Sequence, residues 1–126
     1  MISTLLQVAL GGAVGASLRW LLGVGVLRLT GPTAFPVAVL GANVLGSFLM
    51  GVFVVMAANR GLTHLSPLVM TGLLGGFTTF SAFSLETVTL IERGQLGLAA
   101  GYVLASVVLS VGGLWTGMHM ARMVVA

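Results

Sequence analysis

The sequence predicts an all-α integral membrane protein built from four transmembrane helices. Three observations lead there. Of 126 residues, 58% are hydrophobic and only 6% are charged, whereas a soluble domain carries roughly 25% charged residues. Four apolar stretches, about 3–28, 36–58, 66–91 and 95–121, divide the chain, and each reaches the roughly 20 residues needed to cross a hydrocarbon core. The segments between them are short and carry turn chemistry. Residues 1–126 are therefore expected to form a single four-span membrane domain.

Each element has its own signals. The first stretch has no Lys or Arg ahead of its apolar run, so it is expected as a retained span and not as a signal peptide, which opens with a basic region. Leu29-Thr30-Gly31-Pro32-Thr33 closes it, with Gly31-Pro32 as the turn signal. The second span ends at the loop Asn59-Arg60-Gly61-Leu62-Thr63-His64. Ser66-Pro67 opens the third span, Ser as N-cap and Pro in the first helical position. Glu92-Arg93-Gly94-Gln95 separates the third from the fourth. Loops this short make consecutive helices antiparallel neighbours.

Composition also excludes functions. So hydrophobic a chain is neither a soluble enzyme nor a disordered tail. The five basic residues are all Arg, placed singly at 19, 28, 60, 93 and 122, with no basic stripe for nucleic acid. There is no cysteine, which removes disulfides and thiolate chemistry. No Ser/His/Asp set, carboxylate pair or phosphate loop is present, and His64 and His119 are not in ligand spacing; the chain is not expected to be an enzyme.

Orientation should follow the loop Arg/Lys bias. Arg60 and Arg122 fall on the side of the N-terminus, Arg28 and Arg93 on the other. Two against two gives no direction. Either weaker cues orient the chain, or both orientations are made and pair as an antiparallel homodimer with a two-fold axis in the membrane plane, resembling the inverted repeats of transporters. Small-xxx-small pairs at Gly11/Gly15, Ala42/Gly46, Ser47/Gly51, Gly72/Gly76, Gly97/Gly101 and Gly113/Gly117 are read as helix-packing surfaces.

The informative residues are polar ones at membrane depth. Arg19 either snorkels to the interface or supplies positive charge to an aqueous vestibule. Asn43, in mid-span, must find partners or water; a helix–helix hydrogen bond and a place on a polar path are both open. In the third span, Gly75-Gly76-Phe77-Thr78-Thr79-Phe80-Ser81-Ala82-Phe83-Ser84-Leu85-Glu86-Thr87 predicts a helix broken near Gly75–Thr79, because paired glycines weaken it and the threonines compete for backbone. Irregular backbone at this depth must be buried in protein or line a wet cavity, and its freed carbonyls suit a small cation. Phe80 and Phe83 share a helix face. The pair is either packing or lipid contact, or its electropositive ring edges, with nearby hydroxyls, replace the water around a small anion. Glu86 is either an interfacial anchor or a pore-mouth group. Tyr102, Ser106 and Ser110 form a stripe at i, i+4, i+8 on the fourth span, either helix–helix glue or a polar track.

Together these residues resemble the CrcB/Fluc family of fluoride channels over nearly the whole chain. The long third-span pattern carries most of the likeness, joined by Gly11-Gly12 through Arg19-Trp20, by Asn43 and Gly46, and by the spacing of Tyr102, Ser106 and Ser110. The resemblance implies a dual-topology antiparallel homodimer with two pores in a bacterial inner membrane, passing fluoride passively and lowering its cytoplasmic level. It places Phe80, Phe83, Asn43, Tyr102, Ser106 and Ser110 along the pore with Thr79 and Ser81 nearby, Glu86 near its end and Arg19 at the vestibule. It also implies a structural Na⁺ on the dimer axis, held by backbone carbonyls of Gly75 and Thr78 from both subunits, and no organic cofactor. One departure is that Ala38 and Val39 stand where the family often has Gly-Thr. The alternative is a small dual-topology multidrug or cation exporter, but such proteins depend on a glutamate in the first span, where this chain has Arg19.

Overall fold

A computed structural model describes residues 1–125. Four helical spans, Ile2–Thr30, Val37–Arg60, Thr63–Glu92 and Leu96–Val125, have the length and apolarity to cross a membrane, as the sequence predicts. The first is helix α1 (Ile2–Thr30) and the second is α2 (Val37–Arg60). The third begins with a 3₁₀ turn, Thr63–Leu65, and a π-wound segment, Pro67–Leu74. It continues through the short α3 (Gly75–Phe77) and, after a break, α4 (Phe80–Glu92). The fourth is α5 (Leu96–Val125).

The ends follow the sequence signals closely. Gly31, Gly61 and Gly94 each take positive φ at the three loops, the backbone geometry that glycine adopts without a Cβ penalty. The amide of Gly31 donates to the Leu27 carbonyl at 2.8 Å and closes α1. Gly61 is the left-handed cap of α2, its amide donating to the Ala57 carbonyl. Ser66 does stand at the N-cap with Pro67 behind it, but its side chain makes no capping bond.

Two seams hold the chain together. α1 lies along the π-wound segment and α3, and α2 lies along α5. Both depend on glycine. A Cβ at Gly11 or Gly15 would collide with backbone of the third span at Leu68 or Leu73, and one at Gly76 would lie 2.8 Å from the Gly12 carbonyl. Across the second seam, a Cβ at Gly51 would strike the Leu114 carbonyl, and one at Gly117 the Phe48 carbonyl. With no hydrophobic drive between helices in lipid, such backbone approach supplies the packing. Gly97 and Gly101 differ from expectation. A Cβ at either meets nothing within 4 Å, so this pair faces outward from the chain and packs no helix within it.

The third span is broken, though not where paired glycines alone would put it. Gly75 and Gly76 are helical; the extended residues are Thr78 (φ −86°, ψ 157°) and Thr79 (φ −152°, ψ 119°). Gly76 serves close approach to α1, and the β-branched threonines take the extended conformation they favour. The interior is small. Phe83, Leu90, Ala99 and Tyr102 form a buried cluster, flanked by Phe35, Val39, Leu40 and Val103. Much of the remaining apolar surface, including Leu5, Leu6, Trp20, Leu104, Val111 and Trp115, is exposed on the single chain, which suits a lipid environment.

Candidate functional site

The break at Thr78–Thr79 is built from side chains that replace missing helix bonds. In an unbroken helix the Thr79 amide would donate to the Gly75 carbonyl. Here it donates to Asn43 Oδ1 at 2.7 Å, while Asn43 Nδ2 donates to the Thr79 carbonyl at 3.1 Å. The Thr79 amide requires an acceptor, which fixes the orientation of the Asn43 amide group. Likewise the Ala82 amide, which would otherwise bond the Thr78 carbonyl, donates to Thr79 Oγ1 at 3.1 Å, so Thr79 caps α4. The carbonyls of Gly75 and Thr78 are thereby released from the helical ladder. Thr78 Oγ1 turns back to the Leu74 carbonyl at 3.0 Å.

Asn43 thus resolves one open question from the sequence: it does make a helix–helix hydrogen bond, and a doubled one. It is not exhausted by it. A carboxamide has two N–H donors, and one is used on Thr79.

Beside the break lies a cavity of about 260 Å³. Asn43 and Ser47 of α2 line one side, Thr78, Thr79, Phe80 and Phe83 a second, and Ser106, Val107, Ser110 and Val111 of α5 a third. The Phe80 and Phe83 rings lie 5.3 Å apart at 57°. They share a face as the i, i+3 spacing predicts, yet their settings differ. Phe83 is 9% exposed and packs on Tyr102, centroids 5.2 Å apart. Phe80 is 78% exposed, so this side of the cavity is open in the single chain.

The hydroxyl stripe of α5 is the most unusual part. Tyr102 is wholly buried, between Phe83 and the edge-on ring of Phe35 at 5.6 Å and 85°. Its hydroxyl has no partner, nor do the hydroxyls of Ser106 and Ser110. Buried polar groups are nearly always hydrogen-bonded, and a bare buried hydroxyl is destabilising by about 1–3 kcal/mol. Three such hydroxyls lie on one helix face, and two of them line the cavity. The hydroxyls on α4 behave differently: Ser84, Thr87 and Thr89 each donate to the carbonyl one turn earlier.

The other expected residues are spread around this centre. Ser81 is exposed on α4, outside the cavity lining, with its hydroxyl 3.3 Å from Thr79 Oγ1. Glu86 lies half-buried on α4 and is absent from the cavity lining. Arg19 is half-buried and lines a second recess of about 450 Å³ with Trp20, Val39, Thr79 and Ala82. Thr79 borders both recesses. Val39 packs on the Phe83–Tyr102 cluster. Sequence reasoning took Ser47 only as a packing residue. Its signal was present, since it follows Asn43 by one helical turn and so shares its face.

Comparison with known proteins identifies the family. Residues 6–118 match the family described as CrcB-like protein, Camphor Resistance (CrcB). The chain is 68% identical over 122 residues to the fluoride-specific ion channel FluC of Ruegeria sp. (strain TM1040), covering 97% of each chain. It is 70% identical over 120 residues to FluC of Roseobacter denitrificans, covering 94% of this chain and 95% of the other, and 50% identical over 121 residues to that of Paracoccus denitrificans, covering 94% of each. The chain is a multi-pass membrane protein that belongs to the CrcB family of fluoride-specific ion channels.

Proposed function

We propose that the chain conducts fluoride passively across a bacterial inner membrane through the cavity beside the third-span break, and so lowers cytoplasmic fluoride. The observation that carries this is the row of unpartnered hydroxyls at Tyr102, Ser106 and Ser110, facing the Phe80–Phe83 pair in a chain whose family is one of fluoride channels.

Fluoride is small and strongly hydrated, so a narrow path must replace many water hydrogens. Tyr102, Ser106 and Ser110 supply hydroxyl hydrogens, Asn43 its second N–H, and Phe80 and Phe83 positive ring edges. None of these carries full charge. A fixed cation would hold the anion too firmly, whereas conduction needs binding weak enough for exit. Arg19 sits apart, in the recess across Thr79, where its charge raises local anion concentration without closing a tight pair. Thr79 and Ser81 stand between these regions, and Glu86 lies beyond Phe83 on α4, toward the end of the path.

The working unit is an antiparallel dual-topology homodimer with two pores. The even split of loop arginines supports it, as do the open side at Phe80 and the outward-facing Gly97 and Gly101. A Na⁺ fits the break: the carbonyls of Gly75 and Thr78, freed by Asn43 and by the Thr79 cap, are hard oxygen donors, and Gly75 is exposed. Bound there from two subunits, the ion would supply fixed positive charge that braces the interrupted helices. A multidrug or cation exporter has no matching observation, since the first span carries Arg19 and no acid.

The test is fluoride efflux from liposomes holding the purified chain, with potential clamped by K⁺ and valinomycin. Fluoride should leave without ATP and far faster than chloride. Efflux equal to that of empty liposomes would rule the channel out.

A further inference from the structure

We infer that Ser47 is a donor to the permeating anion, one helical turn beyond Asn43, and so belongs to the conduction path and not to the packing seam. The inference rests on the fluoride-channel reading above.

Three observations carry it. Ser47 lines the same cavity as Asn43, Phe80, Phe83, Ser106 and Ser110, and its i, i+4 relation to Asn43 puts the two on one face of α2. Its neighbours settle which way that face looks. A Cβ on Gly46 would strike Thr78 Cγ2, while the carbonyl of Phe48 bears on Gly117 of α5. Ser47 therefore sits between the third-span break and α5, where the cavity is. Finally, its hydroxyl is free of local bonding. Ser17, Ser84, Thr87, Thr89 and Thr116 all donate to the carbonyl four residues back, but among the described residues Ser47 makes no such bond.

The cavity needs this donor on its α2 side. Thr78 Oγ1 spends its hydrogen on the Leu74 carbonyl, and Thr79 Oγ1 accepts from the Ala82 amide. On the α2 wall of the cavity, opposite Ser106 and Ser110, the free hydrogens are the second N–H of Asn43 and the hydroxyl of Ser47. An anion leaving Asn43 along α2 passes from the first to the second while keeping the α5 serines on its other side.

The experiment compares full-length wild type, Ser47→Ala, Ser47→Thr and Ser47→Cys in liposomes, with fluoride efflux as the readout and gel-filtration elution checking assembly. Ser47→Ala should slow efflux roughly fivefold, the effect of losing one neutral hydrogen bond. Ser47→Thr should stay within about twofold of wild type, because it keeps the hydroxyl. Ser47→Cys keeps the size with a weaker donor and should fall between them, which serves even if the alanine variant assembles poorly. Wild-type efflux from Ser47→Ala and Ser47→Cys overturns the inference, and so does a threonine variant as slow as the alanine one, since bulk and not the hydroxyl would then be what matters. A wild-type chain that passes no fluoride would sink the channel reading itself, and this inference with it.

Discussion

The two halves of the third span are built on opposite principles. The first, from Pro67 to Phe77, lies against α1 with glycine facing backbone, so closely that Gly11, Gly15 and Gly76 admit no Cβ. The second, α4, carries an exposed Phe80 and faces three buried hydroxyls on α5 that have no partners. One half gives up side chains to gain contact. The other keeps polar groups unsatisfied at a cost in stability. The difference separates a half built for packing from a half that borders the open cavity, and Asn43 is the joint between them, because its doubled hydrogen bond to Thr79 sets where one regime ends.

The comparison breaks most severely if a seam glycine tolerates bulk. Gly15→Leu drives a side chain into the Leu73 carbonyl of the third span, and backbone cannot give way as a flexible side chain can. Loss of the monodisperse protein in detergent, with activity lost as a consequence, is expected; a normally eluting, stable variant would mean that the seam is not the structural half.

The joint comes next. Asn43→Asp keeps the acceptor for the Thr79 amide but sets a carboxylate oxygen against the Thr79 carbonyl and brings negative charge to the cavity proposed as the anion path. Fluoride efflux should fall by two orders of magnitude or more, a loss of about 3 kcal/mol, while the protein still elutes as folded. Unchanged efflux would remove Asn43 from the path.

The half that borders the cavity, and that we propose conducts, is probed by Phe80→Ile. Phe80 is mostly exposed, so replacing it should change thermal stability by less than about 1 kcal/mol. It removes a ring edge, and efflux should drop about tenfold or more. A drop in melting temperature with efflux preserved would reverse the assignment.

The smallest effect is the most discriminating. Tyr102→Phe deletes a buried hydroxyl with no partner and keeps the ring between Phe35 and Phe83. Stability should hold or rise by up to about 1 kcal/mol, while efflux falls severalfold. Opposite signs for stability and flux separate an ion-path hydroxyl from helix–helix glue; a lower melting temperature would favour glue.

Much of this molecule was legible in its sequence. Four apolar stretches of spanning length, separated by Gly31, Gly61 and Gly94, gave the helices and their boundaries to within a few residues, because the cost of unsatisfied backbone in lipid leaves few alternatives. The hydroxyl stripe of α5 could be read from its i, i+4, i+8 spacing alone. Tertiary structure decided what spacing cannot: that the break falls at Thr78–Thr79 and not at the glycines, that Phe80 is open while Phe83 is buried, and that Gly97 and Gly101 meet no helix within the chain. It also brought in Ser47, which the sequence had left among packing residues. Local pattern fixes which face a residue occupies, but only the neighbouring helices decide whether that face meets backbone, a cavity or open surface.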